Sequence, residues 1–298
     1  MTKSERDTGE QCSVHGDSAR SGIPGGNDVE PQRTESDRGQ VSASAAEVYE
    51  EFFVPALFTE WSPMLAEAAG IDPSHRVLDV GCGTGVVTRA VAGLLDDSGA
   101  VIGIDINDGM LDVARRRSPE IDWRRGSVEA LPFDDQSFDA VVCQFGLMFF
   151  EDQPAAIREM VRVLRPGGRL AVAVWDVLDN VPGYASVTEL LQRLFGDEAA
   201  NAMRAPYLLG NRDTLRSVFQ RAGIADVDIR THAGTARFPS IESWVHTDIK
   251  GWTLADIIND DQYAQLLGEA RSALQRYVIG DGTVAFCQSA HIASAVKP

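Results

Sequence analysis

Lysine is nearly absent from this sequence. Only Lys3, Lys250 and Lys297 occur among 298 residues, and 44 acidic residues against 27 basic ones leave a net charge of −17. Proteins that bind nucleic acid or anionic membrane surfaces rely on Lys and Arg to neutralise phosphates. The charge balance therefore argues against such partners, and we expect no nucleic acid to bind.

Cysteines and long apolar runs are also scarce. The four cysteines lie far apart and form no C-x-x-C pair, so we expect no metal site of the zinc type. No apolar run reaches the roughly 18 residues that a membrane-spanning helix needs, and the first residues do not resemble a signal peptide. These absences predict a soluble, cytoplasmic protein without a membrane span.

A glycine-rich turn dominates what is present. The stretch Val77–Gly85 predicts a strand that runs into Gly81, Gly83 and Gly85, and a helical pattern follows. Strand, glycine turn and helix form the first half of a nucleotide-binding βαβ unit. A dinucleotide-binding turn has the spacing G-x-G-x-x-G, and its third glycine is replaced here by Val86. This difference argues against a nicotinamide-dependent oxidoreductase, which stays open as an alternative.

Two acidic residues further define the ligand of this turn. Asp79 precedes the first glycine, where a carboxylate would repel a pyrophosphate but suits a ligand with a positive charge, such as an amino group. Asp105 ends the second predicted strand, 20 residues after Gly85. An acid at that position accepts hydrogen bonds from ribose hydroxyls. The sequence therefore predicts a ligand with a ribose and without a 2′-phosphate.

Strands and helical patterns alternate over residues 76–176, and the predicted strands are 76–80, 100–105, 121–125, 138–143 and 169–175. This alternation predicts an α/β protein with a doubly wound, mostly parallel sheet, whose ligand lies at the carboxyl ends of the strands. Further strands are predicted at 227–231 and 284–296. The helical pattern at 241–279 predicts a cap inserted before the last strand.

The amino-terminal part differs from this alternation. Residues 1–42 are polar and rich in Gly and Ser, which predicts a disordered tail. The segment 45–69 is helical in pattern and aromatic, with Pro55 and Pro63 expected to break it into pieces. It packs on the sheet edge or covers the ligand as a lid, and the two roles are compatible. The predicted divisions are a tail (1–42), a helical lid (43–75), an α/β core (76–240 and 280–298) and a helical cap (241–279).

Ordered motifs along the core resemble those of class I S-adenosylmethionine-dependent methyltransferases; they are Asp79–Gly85, Gly103–Asp105, Gly126–Phe133, Ser137–Val142 and Arg165–Leu170. The likeness covers residues 76–176 and is close to the subgroup that includes the ubiquinone and menaquinone biosynthesis C-methyltransferases. It implies a seven-stranded Rossmann-like methyltransferase sheet and S-adenosyl-L-methionine as the cofactor. It also implies in-line transfer of the methyl group to a small-molecule acceptor.

The resemblance also assigns roles to single residues. Its cofactor-binding positions are Asp79, Gly81, Gly83, Gly85, Asp105, Ile106, Met110, Ser127, Val128 and Gln144. The family commonly has Asp where Ser127 stands. The contact to the adenine amino group therefore weakens, passes to Glu129 or is made by backbone.

The acceptor side carries weaker signals. His246 in the cap and His232 after a predicted strand are the candidate general bases, and Tyr49, Phe145 and Trp175 are candidates for the substrate pocket. Methyl transfer from a sulfonium needs a base only if the acceptor must lose a proton first. A non-catalytic protein that binds S-adenosylmethionine is therefore a second alternative. The sequence specifies neither the acceptor nor the oligomeric state.

Overall fold

The computed structural model describes residues 43–251, 254 and 257–298, so the predicted tail lies outside the described residues. The α-helices of this part are α1 (Ala43–Val48), α2 (Trp61–Ala68), α3 (Val86–Ala92), α4 (Asp108–Arg117), α5 (Gln153–Val163), α6 (Pro182–Phe195), α7 (Asp197–Arg204), α8 (Arg212–Arg221), α9 (Ile241–Lys250) and α10 (Asp260–Ala273). The strands are β1 (Arg76–Val80), β2 (Ala100–Asp105), β3 (Asp122–Arg125), β4 (Phe138–Gln144), β5 (Leu164–Trp175), β6 (Asp228–His232), β7 (Thr235–Phe238), β8 (Val284–Cys287) and β9 (Ala290–Val296).

Seven of these strands form one sheet in the order β3-β2-β1-β4-β5-β9-β6, which confirms the predicted fold class. The first five are parallel, and β9 runs antiparallel to both β5 and β6. The strand order reverses beside β1, where the chain steps first to β2 and later to β4. Ligands of open α/β sheets bind at the carboxyl ends of the strands at such a switch point. The glycine turn after β1 lies at this point.

The core strands are apolar because both faces of the sheet are covered by helices. Every residue from Leu170 to Trp175 of β5 is buried. Helix α5 covers one face with Ile157, Met160 and Val163. It begins where the Asp152 side chain accepts the backbone N–H of Ala155 at 2.8 Å, which caps the helix.

The amino-terminal segment corrects one prediction, because Pro55 does not break its helix. A ten-residue π-helix, Tyr49–Phe58, contains Pro55 and continues directly from α1. In this wider turn the N–H of Thr59 bonds to the carbonyl oxygen of Val54, five residues earlier, at 3.0 Å. Pro55 has no N–H to donate in either pattern, but the wider i→i−5 turn relieves the clash of its ring with the carbonyl group four residues earlier.

The predicted strand at 284–296 is also wrong in one respect, since it is two strands. β8 pairs with β7, a strand that the sequence pattern did not predict, and β9 joins the main sheet. The break falls at Gln288 and Ser289, whose side chains are buried. The Ser289 hydroxyl donates to Asp176 at the end of β5, at 2.9 Å, so this polar pair holds the bend.

None of the helices in the described residues combines the length and the apolar character needed to cross a bilayer.

Candidate functional site

A cleft with about 1040 Å³ of empty volume lies over the carboxyl ends of β1, β2 and β4. It is lined by eight of the ten predicted cofactor positions: Gly81, Gly83, Asp105, Ile106, Met110, Ser127, Val128 and Gln144. The structure thus brings these residues to one surface. We call it the cofactor cleft.

The remaining two predicted positions, Gly85 and Asp79, lie outside the lining of the cofactor cleft. Gly85 has φ +90°, and a Cβ there would lie 2.3 Å from the Trp123 ring, so this glycine serves the packing of the turn against β3. Gly83 differs, because a Cβ on it would meet no atom within 4 Å. Its backbone therefore faces open space on the ligand side.

Asp79 lies behind the turn, with 1% of its surface exposed. Its Oδ2 accepts the hydroxyl of Thr88 in α3 at 2.5 Å, so the carboxylate ties β1 to the following helix. Burial raises the pKa of Asp79 to about 7, against the lowering effect of the Thr88 hydrogen bond, and the nearby charge of Asp105 raises it further. Asp79 therefore lies behind the glycine turn and does not line the cleft.

Asp105 is fixed at the end of β2 by two backbone donors. The N–H of Gly83 donates to its Oδ2 and the N–H of Asn107 to its Oδ1, both at 2.8 Å. A carboxylate oxygen can accept more than one hydrogen bond, so both oxygens of Asp105 keep acceptor capacity toward the cleft. Burial raises the pKa of this carboxyl, which the two backbone bonds counteract. The arrangement suits a pair of neighbouring ligand hydroxyls, such as those of a ribose.

Apolar and polar groups follow Asp105 along the cleft. Ile106 lines the cleft and is 50% exposed, so its side chain offers an apolar face to a flat ligand ring. On the other side the Ser127 hydroxyl donates to the Glu129 carboxylate. Glu129 also accepts the N–H of Glu151 at 3.2 Å. A carboxylate therefore lies beside Ser127, where the family commonly has Asp.

The π-helix closes the cleft from above through Tyr49, which lines it. The next residue, Glu50, is buried and accepts from Arg89 of α3 and from Arg117 of α4, both at 2.9 Å. Arg89 also donates to the carbonyl oxygen of Thr84, inside the glycine turn, at 2.6 Å. These ion pairs connect the turn directly to the covering helix.

A second cavity, with about 570 Å³ of empty volume that includes open solvent, adjoins the cofactor cleft and is mostly apolar. Both are lined by Tyr49, Phe145 and Phe149. The Phe145 and Trp175 rings stack in this cavity, with centroids 3.6 Å apart and planes within 10°. The predicted pocket residues Tyr49, Phe145 and Trp175 therefore lie together, and we call this space the apolar cavity.

Phe145 adopts a backbone conformation that is unfavourable for a bulky residue. Its φ is +54°, and its N–H donates to the carbonyl oxygen of Ala173 in β5 at 2.9 Å. A non-glycine residue held in this region costs about 1–3 kcal/mol. The strain places an aromatic ring at the junction of the cofactor cleft and the apolar cavity, where such conformations often mark function.

Neither candidate histidine lies in the site. His246 and His232 line neither cavity, and the ring of His246 instead contacts Phe52, with centroids 5.8 Å apart. On α9 the apolar cavity is lined by Asp248, two residues further on, and residues two apart on a helix point to different faces. The structure therefore gives no support to either histidine as a general base.

Sequence reasoning missed most of the lining of the apolar cavity, including the buried polar residues Asp248 and Gln288. A signal for Asp248 was present, because this acid follows Trp244 by four residues and adjoins Ile249, all on a buried face. Gln288 carried no such signal, since it was placed inside a continuous strand. Within the described ranges no group of three or more His, Cys, Asp or Glu side chains could hold a metal ion.

The residues of the cofactor cleft fit S-adenosylmethionine. An open glycine backbone at Gly83, a carboxylate with spare acceptor capacity at Asp105 and an exposed apolar face at Ile106 match an amino-acid-bearing nucleoside. The apolar cavity supplies space for a second molecule beside it.

Comparison with known proteins agrees with this geometry. Residues 78–172 match the model of a methyltransferase domain family. The chain is 42% identical over 134 residues to demethylmenaquinone methyltransferase of Renibacterium salmoninarum, a match that covers 45% of this chain and 55% of that protein. It is 31% identical over 188 residues to the demethylmenaquinone methyltransferase of Staphylococcus carnosus, covering 58% and 78%. The chain thus spans just over half the length of the first of these relatives.

A solved structure shows the same fold. Phosphoethanolamine N-methyltransferase 2 of Haemonchus contortus, in complex with S-adenosyl-L-methionine, superposes with a TM-score of 0.56 at 19% sequence identity. The superposition covers 89% of this chain and 59% of that one.

Proposed function

We propose that this chain, which belongs to the class I S-adenosylmethionine-dependent methyltransferase family of the UbiE-like kind, is a small-molecule methyltransferase. It transfers a methyl group from S-adenosyl-L-methionine to a small aromatic acceptor. The observation that carries the proposal is the junction of the two cavities. Tyr49, Phe145 and Phe149 line both the cofactor cleft and the apolar cavity, so a ligand in one lies directly against a ligand in the other.

The cofactor side of the proposal assigns a task to each lining group. Asp105 accepts the two ribose hydroxyls, and Ile106 packs on the adenine. Backbone at Gly81 and Gly83 holds the methionine part, with the charge of Asp79 behind it. Glu129 beside Ser127 accepts the adenine amino group. When bound, the cofactor supplies a methyl group already activated on a sulfonium.

The acceptor side favours a flat apolar ring. The walls of the apolar cavity are aromatic, with Phe58, Phe145 and Trp175 in mutual ring contact. Stacked or edge-on aromatic side chains favour planar aromatic ligands. Since the relatives are named for demethylmenaquinone, we infer that the acceptor is a hydroxylated or quinonoid ring.

The side chains here act mainly by positioning. Holding two reactants in line and in contact can supply most of the acceleration of a transfer whose donor is already activated. Tyr49 and Phe145 fix the boundary between donor and acceptor, and the covering π-helix keeps water from the transfer path. No histidine of the described residues lines either cavity, so the proposal assigns no histidine base.

The test is methyl transfer from labelled S-adenosylmethionine to a panel of demethylated hydroquinones and naphthols, with phosphoethanolamine as the non-aromatic control. We expect label in the aromatic compounds only. Binding of S-adenosylhomocysteine without transfer to any aromatic compound would instead favour the non-catalytic alternative. Stabilisation by NAD but not by S-adenosylhomocysteine would favour an oxidoreductase.

Glu50→Gln should weaken the closure of the cofactor cleft. The substitution removes the charge that pairs with Arg89 and Arg117, both partly exposed, so we expect a loss of about 1 kcal/mol in the free energy of unfolding. We also expect about fivefold weaker binding of S-adenosylhomocysteine, to be measured by calorimetry. Glu51→Gln, an exposed neighbour on the same helix, is the matched control. Equal affinity in both variants would exclude Glu50 from the closure.

The proposal retains two expectations from the sequence, a cytoplasmic location and no nucleic-acid partner. The net charge of −17 supports the second, because a surface this acidic repels nucleic acid. It also retains the division into lid, core and cap, whose boundaries limited proteolysis would test.

A further inference from the structure

Two buried polar side chains interrupt the apolar cavity. Asp248 of α9 is 2% exposed and Gln288, between β8 and β9, is 1% exposed, and both line the cavity. Asp248 Oδ2 and Gln288 Oε1 have no hydrogen-bond partner of normal geometry in the part of the chain that the structure describes, although the Trp244 indole N–H lies close enough to Asp248 to favour its charged form. Buried polar atoms are rarely left unpaired because the loss of water is costly. A polar atom of a ligand in the cavity would resolve this cost at both positions.

Two tyrosines hold these side chains in place. Tyr184 donates its hydroxyl to Asp248 Oδ1 at 3.1 Å, and Gln288 Nε2 donates to the Tyr207 hydroxyl at 3.4 Å. The two tyrosine rings lie close together, with centroids 6.1 Å apart, and both line the cavity. Each tyrosine therefore satisfies one polar atom of its partner, while the second polar atom of each pair is left for a ligand.

The charge state of the pair limits the ligand chemistry. Burial raises the pKa of Asp248 well above its usual range, against the lowering effect of Tyr184 and Trp244, and so favours the protonated carboxyl, which can donate as well as accept. None of the described residues that line the cavity is a Lys, an Arg or a His, so an anionic group would find no counter-charge there. A neutral hydroxyl fits, because it can donate a hydrogen bond to Gln288 Oε1 and accept one from the protonated carboxyl of Asp248.

We propose that Asp248 and Gln288 form a subsite that holds a ring hydroxyl of the neutral aromatic acceptor. This inference rests on the proposed function and deepens it, since it assigns the polar recognition of the acceptor to the cap and the β8–β9 bend. The pair selects acceptors that carry an oxygen on the ring. The two hydrogen bonds also fix the rotation of the ring within the aromatic walls.

The test compares two ligands of the same shape. Calorimetric titration of the full chain with 1-naphthol and with 1-fluoronaphthalene, in saturating S-adenosylhomocysteine, measures the contribution of the hydroxyl. We expect the wild-type chain to bind 1-naphthol at least tenfold more tightly. Asp248→Leu and Gln288→Met should each reduce this preference below threefold, with affinity for 1-fluoronaphthalene within threefold of wild type. Asp248→Asn, which keeps one donor and one acceptor, should retain most of the preference.

Unchanged S-adenosylhomocysteine affinity in each variant shows that the fold is intact, and if Asp248→Leu fails to fold, Gln288→Met carries the test alone. A preference that persists in both apolar variants, or is absent from the wild-type chain, would overturn the subsite. Failure of the proposed function is a different result. In that case the hydroxyl preference depends on Asp248 and Gln288, but no aromatic compound receives a methyl group.

Discussion

Asp105→Ala should raise the dissociation constant of S-adenosylhomocysteine about 100-fold. A hydrogen bond to a charged group contributes about 1.5–3 kcal/mol, and a loss of about 2.7 kcal/mol corresponds to a 100-fold change. The N–H groups of Gly83 and Asn107 already orient the carboxylate in the free protein. Its side-chain entropy is therefore lost before the ligand binds and does not weaken the affinity. Calorimetric titration with S-adenosylhomocysteine measures the change. The control is Asp112→Ala, an exposed acid on α4 outside the cofactor cleft.

Loss of the turn itself could imitate this effect, because Asp105 also accepts the N–H of Gly83. A second ligand separates the two causes. The 2′-deoxy form of S-adenosylhomocysteine should bind the wild-type chain more weakly than the parent compound, and this difference should vanish in Asp105→Ala. The two proteins and two ligands form a thermodynamic cycle. If the effects of the two changes are additive, so that their coupling energy is near zero, Asp105 does not contact the ribose.

The cofactor cleft was largely predictable from the sequence because its determinants are local. β1 and β2 have the predicted bounds, and parallel strands bring their carboxyl ends to one edge wherever the helices between them lie. Spacing along the chain was therefore sufficient to associate the glycine turn with Asp105. Asp79 and Gly85 lie outside the lining for tertiary reasons. The Asp79 side chain turns to the Thr88 hydroxyl, and Gly85 packs against the Trp123 ring.

The apolar cavity was much less predictable because its walls come from distant parts of the chain. Tyr184 meets Asp248 across 64 residues, and Tyr207 meets Gln288 across 81. No short pattern encodes such contacts. The sequence also hid strand β7, since four residues with one charged member carry little periodic signal. Tyr49, Phe145 and Trp175 were recognised as pocket candidates, whereas the two tyrosines and their polar partners were not.

The second large effect concerns the pH dependence of stability. The free energy of unfolding of the ligand-free chain should fall by about 4 kcal/mol from Asp79 alone as the pH rises from about 4 to about 7. Burial raises the pKa of Asp79 to about 7 in the folded chain, against an ordinary value of 3.8 for an aspartate carboxyl. Between these values the folded chain keeps a proton that the unfolded chain releases. Each pH unit in this window therefore costs about 1.4 kcal/mol of stability.

The substitution Asp79→Asn isolates this contribution, because the amide cannot ionise and can still accept the Thr88 hydroxyl. Urea unfolding at pH 5, 6, 7 and 8 should show that the stability of the wild-type chain decreases relative to Asp79→Asn up to about pH 7 and then runs parallel to it. Thr88→Val removes a hydrogen bond that lowers the pKa of Asp79, so this variant should shift the window to higher pH. Parallel profiles for the wild-type and Asp79→Asn chains at every pH would show that Asp79 is already ionised in the folded chain. In that case its charge would be balanced within the turn, and a cationic group of the ligand would not be needed to stabilise it.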